Sequence, residues 1–286
     1  MFHSGELALQ AQADAIDRAR QLGRSIRDSV PPIAAKFLQQ QVMVVIATQD
    51  SSAQVFATAL AGDPGFVETP RPQLIRIQAS PPIQDPAWAN LAHRAPMGLV
   101  AVDFAAHRRM RVNGMGYLTD SGIALSCVEV YSNCGRHIAT RALSSRGHRE
   151  GPTARVISTA LTAHQQGWIS KSDTFFIATS HPDTGMDVSH KGGAPGFVHV
   201  NGAGQIVFPD YPGNFLFNTL GNIRVNPRIG MIFLDFSSGS TLQIAGTAAL
   251  RQDDRGGWTV YVTPSEVHEV RDALPITIQA RATDGT

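Results

Sequence analysis

Residues 181–200 read HPDTGMDVSHKGGAPGFVHV, with Asp187, Ser189, His190 and Lys191 directly before Gly192 and Gly193. A lysine, a hydroxyl and glycine-exposed backbone N–H groups can together hold an anion such as a phosphate. Glycine also lets a ligand approach the main chain closely. His190 adds an imidazole for hydrogen bonding or proton transfer. Composition alone favours a plainer reading, an exposed hairpin loop with ordinary charges.

Two further stretches carry polar groups. HRRMRVNG (107–114), read as a strand, puts Arg109 and Arg111 on one face and Arg108 and Met110 on the other. One of these sets is expected to clamp a phosphate or to lie at an interface; a solvated edge strand is the alternative. In DYPGNFLFNTLGN (210–222), Asp210, Tyr211, Asn214, Thr219 and Asn222 interrupt an apolar run. Turn and helix-capping roles explain these residues one by one as well as ligand contact does.

The elements that must position these groups are mostly strands. VMVVIAT (42–48) is short, apolar and β-branched, and GFVET, QLIRIQAS, GLVAVDF, RMRVNGMGYLT and IALSCVEVY follow between turn residues. After residue 170 come TFFIAT, GFVHV, QIVF, IGMIFLDF, TLQIAGTAAL and WTVYVT. Helices are expected at the N-terminus, with Ser4 and Glu6 at a capped start, after Pro31–Pro32, and over 85–96 behind an Asp85 cap. RHIATRAL and TARVISTALTAHQQG read as helices flanking a polar break, SSRGHREGP. The expected segments are N-terminal helices (1–41), a first β unit (42–131), a helical linker (132–170) and a second β unit (171–286).

The two β units repeat one pattern. Ile46-Ala47-Thr48 and Gly65-Phe66-Val67 recur 131 residues later as Ile177-Ala178-Thr179 and Gly196-Phe197-Val198. GLVAVDFAAHRRMRVNG (98–114) aligns with GMIFLDFSSGSTLQIAG (230–246) at an offset of 132. A period this long implies domain duplication, and two related units commonly pack about a pseudo-twofold axis. His190 and Lys191 fall opposite Ala59 and Leu60, while the basic HRRMR falls opposite the neutral GSTLQ. A single site between the halves would therefore draw on both.

Other classes receive little support. The net charge of +1 gives no overall case for nucleic acid or an anionic membrane. Hydrophobic residues at 43% allow a substantial core. Two cysteines, Cys127 and Cys134, make no zinc or disulfide framework; Cys134 reads as a small hydrophobe rather than a reactive thiol. His181, His199 and His268 read as ordinary polar residues. No secretory signal or membrane span is expected, so the cytoplasm is the expected location.

FHSGELALQ (2–10), RRMRVNG (108–114), VYSNCGRHI (130–138), DVSHKGGAPGFVHV (187–200), DYPGNFLFNTLGNI (210–223) and NPRIGMIFLDF (226–236) together resemble the pyridoxamine 5′-phosphate oxidase-like, FMN-binding split-barrel superfamily, in its long duplicated flavin-nucleotide-binding branch. The resemblance implies a mainly β fold with flanking helices. It would contain two tandem split β-barrels forming a pseudo-dimer, with FMN held where they meet. It implies contacts from Asp187, Ser189, His190, Lys191, Gly192, Gly193, Tyr211, Asn214, Thr219, Asn222, Arg108, Arg109 and Arg111. His190 is the candidate catalytic group, a small molecule the substrate, and a homodimer the expected further assembly.

The family includes oxidases, reductases, haem-degrading proteins and flavin binders, so the fold does not choose the reaction. A non-catalytic flavin or haem carrier is the alternative to an oxidoreductase. Two departures stand out. The arginine-lysine pair that many members carry before the NP turn is replaced by Asn218 and Thr219, and NCP becomes Asn133-Cys134-Gly135.

Overall fold

The computed structural model describes residues 2–81, 84–133, 135–147, 154–211, 213 and 215–278. In the first half, β1 (Met43–Gln49), β2 (Val55–Ala61), β3 (Val67–Arg71), β4 (Leu74–Ile77), β5 (Ala95–Asp103), β6 (Arg108–Thr119) and β7 (Gly122–Asn133) form one antiparallel sheet. Its order is β2-β1-β5-β6-β7-β4-β3.

Two short strands follow, β8 (Leu143–Ser145) and β9 (Ala154–Ser158). The second half contains β10 (Thr174–His181), β11 (Gly185–Gly192), β12 (His199–Val200), β13 (Ile206–Asp210), β14 (Arg228–Asp235), β15 (Ser240–Gln252) and β16 (Trp258–Arg271). Their order, β11-β10-β14-β15-β16-β13-β12, is the first order repeated strand for strand. β9 adds to β16, and β17 (Ile276–Ile278) pairs with β8. The protein is mainly β, with two split-barrel sheets whose end strands do not pair to close a ring.

Register carries the correspondence to single residues. Ile46 faces Thr58 and Ile177 faces Ser189; Val100 faces Arg111 and Ile232 faces Gln243. Both long hairpins shift register at matching places, between Asn113 and Gly114 and between Ala245 and Gly246. Each half has its own core, one around Leu38, Ile75, Leu99 and Val112, the other around Phe175, Phe208, Phe233 and Val260. A third core is shared. Val45, Ala57, Ala59 and Val100 pack with Phe176, Val188, Ile232 and Leu234 across the seam.

Two glycines let the halves approach there. A Cβ on Gly98 would lie 3.0 Å from the Met186 carbonyl oxygen, and one on Gly230 would lie 2.7 Å from Phe56 Cα. These are equivalent positions, so the seam has the same close crossing on both sides.

Helices seal the ends. α3 (Pro32–Gln39) starts on proline as expected, and α4 (Pro86–Asn90) is capped by Asp85, whose carboxylate accepts from Ala87 N–H at 2.9 Å. α5 (Ala163–Lys171) and α6 (Asn218–Val225) occupy the corresponding places in the second half.

Two expectations need correction. The N-terminus forms two helices, α1 (Ser4–Gln12) and α2 (Ile16–Gly23), broken at Asp14, whose φ is 49°. His3, not Ser4, is the cap, and Glu6 closes a capping box with it. The linker is not uniformly helical: no helix forms over RHIATRAL, whose last residue, Leu143, opens β8, and β9 occupies ARVIS. The β-branched Val156 and Ile157 extend the β16 edge there, so tertiary pairing overrides local helix propensity. Residues 148–152 of the proposed polar break and residue 153 after it lie outside the described residues, as does Cys134.

Candidate functional site

The proposed His-Lys loop is strand. Gly185–Gly192 forms β11, fully paired with β10. Period-2 alternation then divides its side chains. Asp187, Ser189 and Lys191 face the polar seam, while Val188 and His190 face the core between the halves. The His190 ring meets Phe104 and Phe176 edge-on, at centroid distances of 5.9 and 5.5 Å.

Arg109 and Arg111 project from β6 of the first half onto this strand. Arg109 Nη1 donates to the His190 carbonyl oxygen at 3.1 Å and lies 3.3 Å from His190 Nδ1. Accepting there leaves the imidazole proton on Nε2, a buried atom without a hydrogen-bond partner among the described residues. Burial, then the positive charges of Arg109, Arg141, Lys191 and His137, hold the His190 pKa well below 6.5. His190 is therefore neutral at physiological pH.

Arg111 is buried. Its guanidinium donates to Ser189 Oγ, to Tyr131 Oη at 3.3 Å and to Asn218 Oδ1 at 3.4 Å. The Ser189 hydroxyl also meets the Thr219 hydroxyl at 2.7 Å. Lys191 pairs with Asp210.

These groups surround a cavity of about 350 Å³, within the roughly 300–1,000 Å³ range of small-molecule sites. Of the residues named from sequence, Arg109, Arg111, Ser189, His190, Lys191, Gly192, Asp210, Tyr211 and Thr219 line it. Gly192 must lack a side chain, because a Cβ there would sit 1.9 Å from the His137 carbonyl oxygen.

The other named residues lie elsewhere. Gly193 is not part of the lining, and a Cβ there would meet the Phe197 ring at 2.6 Å. Arg108 points away and pairs with Asp103 at 3.3 Å. Asn214 lies outside the described residues. Asp187 and Asn222 lie beneath the cavity, not on it. Asp187 accepts from Asn113 at 2.8 Å and from Asn222 at 2.9 Å, and Asn222 also donates to Thr179 at 3.0 Å.

Sequence reasoning missed several contributors. Arg136 and His137 line the cavity from beyond β7, and His137 stacks on Tyr211 at 4.7 Å. Phe197, Phe217 and Trp258 supply apolar wall, and Asn218 occupies one departure from the family pattern. Glu6 reaches the site from the N-terminus by accepting from Asn218 Nδ2 at 2.6 Å. Burial raises its carboxyl to about 8, against the opposing hydrogen bond from His3 N–H. His181 is not an ordinary surface residue: its ring stacks on that of His3 at 3.9 Å. No local signal marks these contacts; FHSGELALQ was visible only as part of the family resemblance.

Fold and site together define a two-part split-barrel protein with a cation-lined pocket between its halves. Residues 161–267 match the family model described as pyridoxamine 5′-phosphate oxidase, a match that supports the pyridoxamine 5′-phosphate oxidase-like superfamily for the second half. No curated protein matches the chain.

Among solved structures, the FAD binding protein from Mycobacterium smegmatis is 18% identical. It covers 41% of this chain and 98% of its own, with a TM-score of 0.28. A FAD-binding protein from Mesorhizobium loti is 10% identical, covers 40% and 98%, and has a TM-score of 0.30. A NimC/NimA family protein from Clostridium acetobutylicum is 12% identical, covers 37% and 84%, and also has a TM-score of 0.30.

Proposed function

We propose that the protein binds FMN in the pocket between its halves and works as an oxidoreductase on a small molecule. The observation that carries this reading is the convergence of Arg109 and Arg111 from one half with Lys191 from the other on one cavity, beside Phe197, Phe217 and Trp258. Cations with Ser189 and Thr219 hydroxyls suit a phosphate and a polyol chain; the aromatic wall suits a flat ring. Bound flavin would supply two-electron redox chemistry. The chain's own part is to bind, to orient and to exclude water.

His190 fits a positioning role better than an acid role. It is neutral, held against Phe104 and Phe176, and contacts Arg109. That placement is also the observation behind a second reading, a flavin carrier without turnover. The two related units are proposed to be a duplication that supplies both walls of one site, in a cytoplasmic protein that pairs further into a homodimer.

The visible spectrum of the purified protein, followed by titration of the stripped protein with FMN, tests the reading. Flavin absorbance or saturable quenching of FMN fluorescence is expected; absence of both overturns it, and a Soret band would replace flavin with haem. Bleaching by a nicotinamide and recovery in air separates an oxidoreductase from a carrier.

A further inference from the structure

The pseudo-twofold relation predicts a second pocket, and its place in the structure is closed. Arg111, Ser189, His190 and Lys191 correspond in register to Gln243, Thr58, Ala59 and Leu60. Arg109 corresponds to Thr241. The framework beneath is retained on both sides: Asn222 donates to Thr179 at 3.0 Å, and Asn90 donates to Thr48 at 3.0 Å. The groups facing the cavity have changed, and so has the acceptor beneath it, since Asp187 corresponds to Phe56.

On the closed side, Gln243 Nε2 lies 2.9 Å from the Ala57 carbonyl oxygen, 3.2 Å from Thr58 Oγ1 and 2.9 Å from Asp85 Oδ2. Thr58 Oγ1 donates to the other Asp85 oxygen at 2.7 Å. The remaining space is about 30 Å³, against about 350 Å³ opposite. That is room on the scale of a single water. Arg155 borders it, but its guanidinium lies 2.8 Å from His268 Nδ1. A carboxylate, Asp85, stands at the seam where the open site presents a guanidinium and a lysine, so an anion would meet repulsion as well as too little space.

We infer that each chain binds one ligand, and that the second site is a closed relic in which Gln243, Thr58 and Asp85 now join the halves directly. The identity of the ligand rests on the flavin reading; the closure does not.

Calorimetric titration of the full chain with FMN should give one equivalent per chain. Lys191→Leu, which copies the residue on the closed side, should weaken that single event. Gln243→Ala should lower the melting temperature while leaving FMN affinity within about twofold, as expected for separated sites. Two equivalents would overturn the inference, as would an unchanged melting temperature in Gln243→Ala.

If FMN does not bind at all, the flavin reading fails, and accessibility still tests the closure. In a Cys127→Ser, Cys134→Ser background, Lys191→Cys should react with a small methanethiosulfonate at least about tenfold faster than Ala59→Cys, because a closed site reacts only through local opening. Equal rates would overturn the closure.

Discussion

Arg111 and Asp187 approach to 3.7 Å across the seam, with side chains only 7% and 9% exposed. One comes from β6 of the first half and the other from β11 of the second. The pair has further support, since Asn113, Asn222 and the Tyr131 hydroxyl also donate to Asp187. Arg111 is thereby held at the floor of the cavity with its remaining donors on Ser189 and Asn218.

Removing the carboxylate should be costly. Asp187→Ala leaves a buried guanidinium and two amides without their acceptor, and should destabilise the protein by about 3–5 kcal/mol. Asp187→Asn, which keeps one acceptor oxygen, should cost less. Urea denaturation of both variants checks the order; equal costs would mean that the charge plays no part.

The seam glycines give a packing prediction. Gly230→Ala would place a methyl 2.7 Å from Phe56 Cα, where backbone must move, whereas Gly98→Ala meets a carbonyl oxygen at 3.0 Å. Both should destabilise, Gly230→Ala more, by about 1–3 kcal/mol for overpacking. Thermal unfolding of the two variants against the parent decides.

Stability should depend on pH through Glu6. Its folded pKa of about 8 exceeds the ordinary glutamate value of about 4.5, so the folded state binds the extra proton. Its contribution is fully present below about pH 4.5 and is lost as pH rises to about 8. His3 and His190, both lowered mainly by burial, act in the opposite sense: their contribution is present above 6.5 and lost as pH falls through their folded values. Glu6→Gln should remove the decline between about pH 4.5 and 8, an effect most visible above pH 6.5 where the two histidines no longer contribute a slope. Denaturation midpoints from pH 4 to 9 would show this; an unchanged alkaline slope would refute it.

Ligand affinity should respond in opposite directions to the two members of the Lys191–Asp210 pair. Lys191→Ala should weaken FMN binding by about 1.5–3 kcal/mol, the scale of a charge-assisted hydrogen bond. Asp210→Asn releases the ammonium and removes a negative charge from the cavity wall, so affinity should rise. Fluorescence titration at fixed ionic strength measures both; a loss in Asp210→Asn would mean that Asp210 orients the lysine rather than competing for it.

Much of the architecture was written locally. Alternation in VMVVIAT and RMRVNG, the proline start of α3 and the Asp85 cap are patterns of a few residues, and the strands and helices stand where those patterns put them. The 131–132 residue offset was legible because both halves keep the same turns and seam glycines. The same alternation placed Arg109 and Arg111 on one face, now the face that lines the cavity. Composition misjudged Asp187–Gly192, because a charged, glycine-terminated run looks like a turn until a neighbouring strand pairs with it.

What sequence alone determined, then, was the set of strands, their repetition and the residue types that differ between the halves. Tertiary structure decided which of those residues meet. His190 turned to the core because strand parity opposes it to Ser189 and Lys191. Asp187 and Asn222 became the floor, Glu6 reached Asn218 from 212 residues away, and Asp85 closed the second site with Gln243. Local propensity cannot encode such contacts, because each depends on two distant segments being packed against the same buried seam.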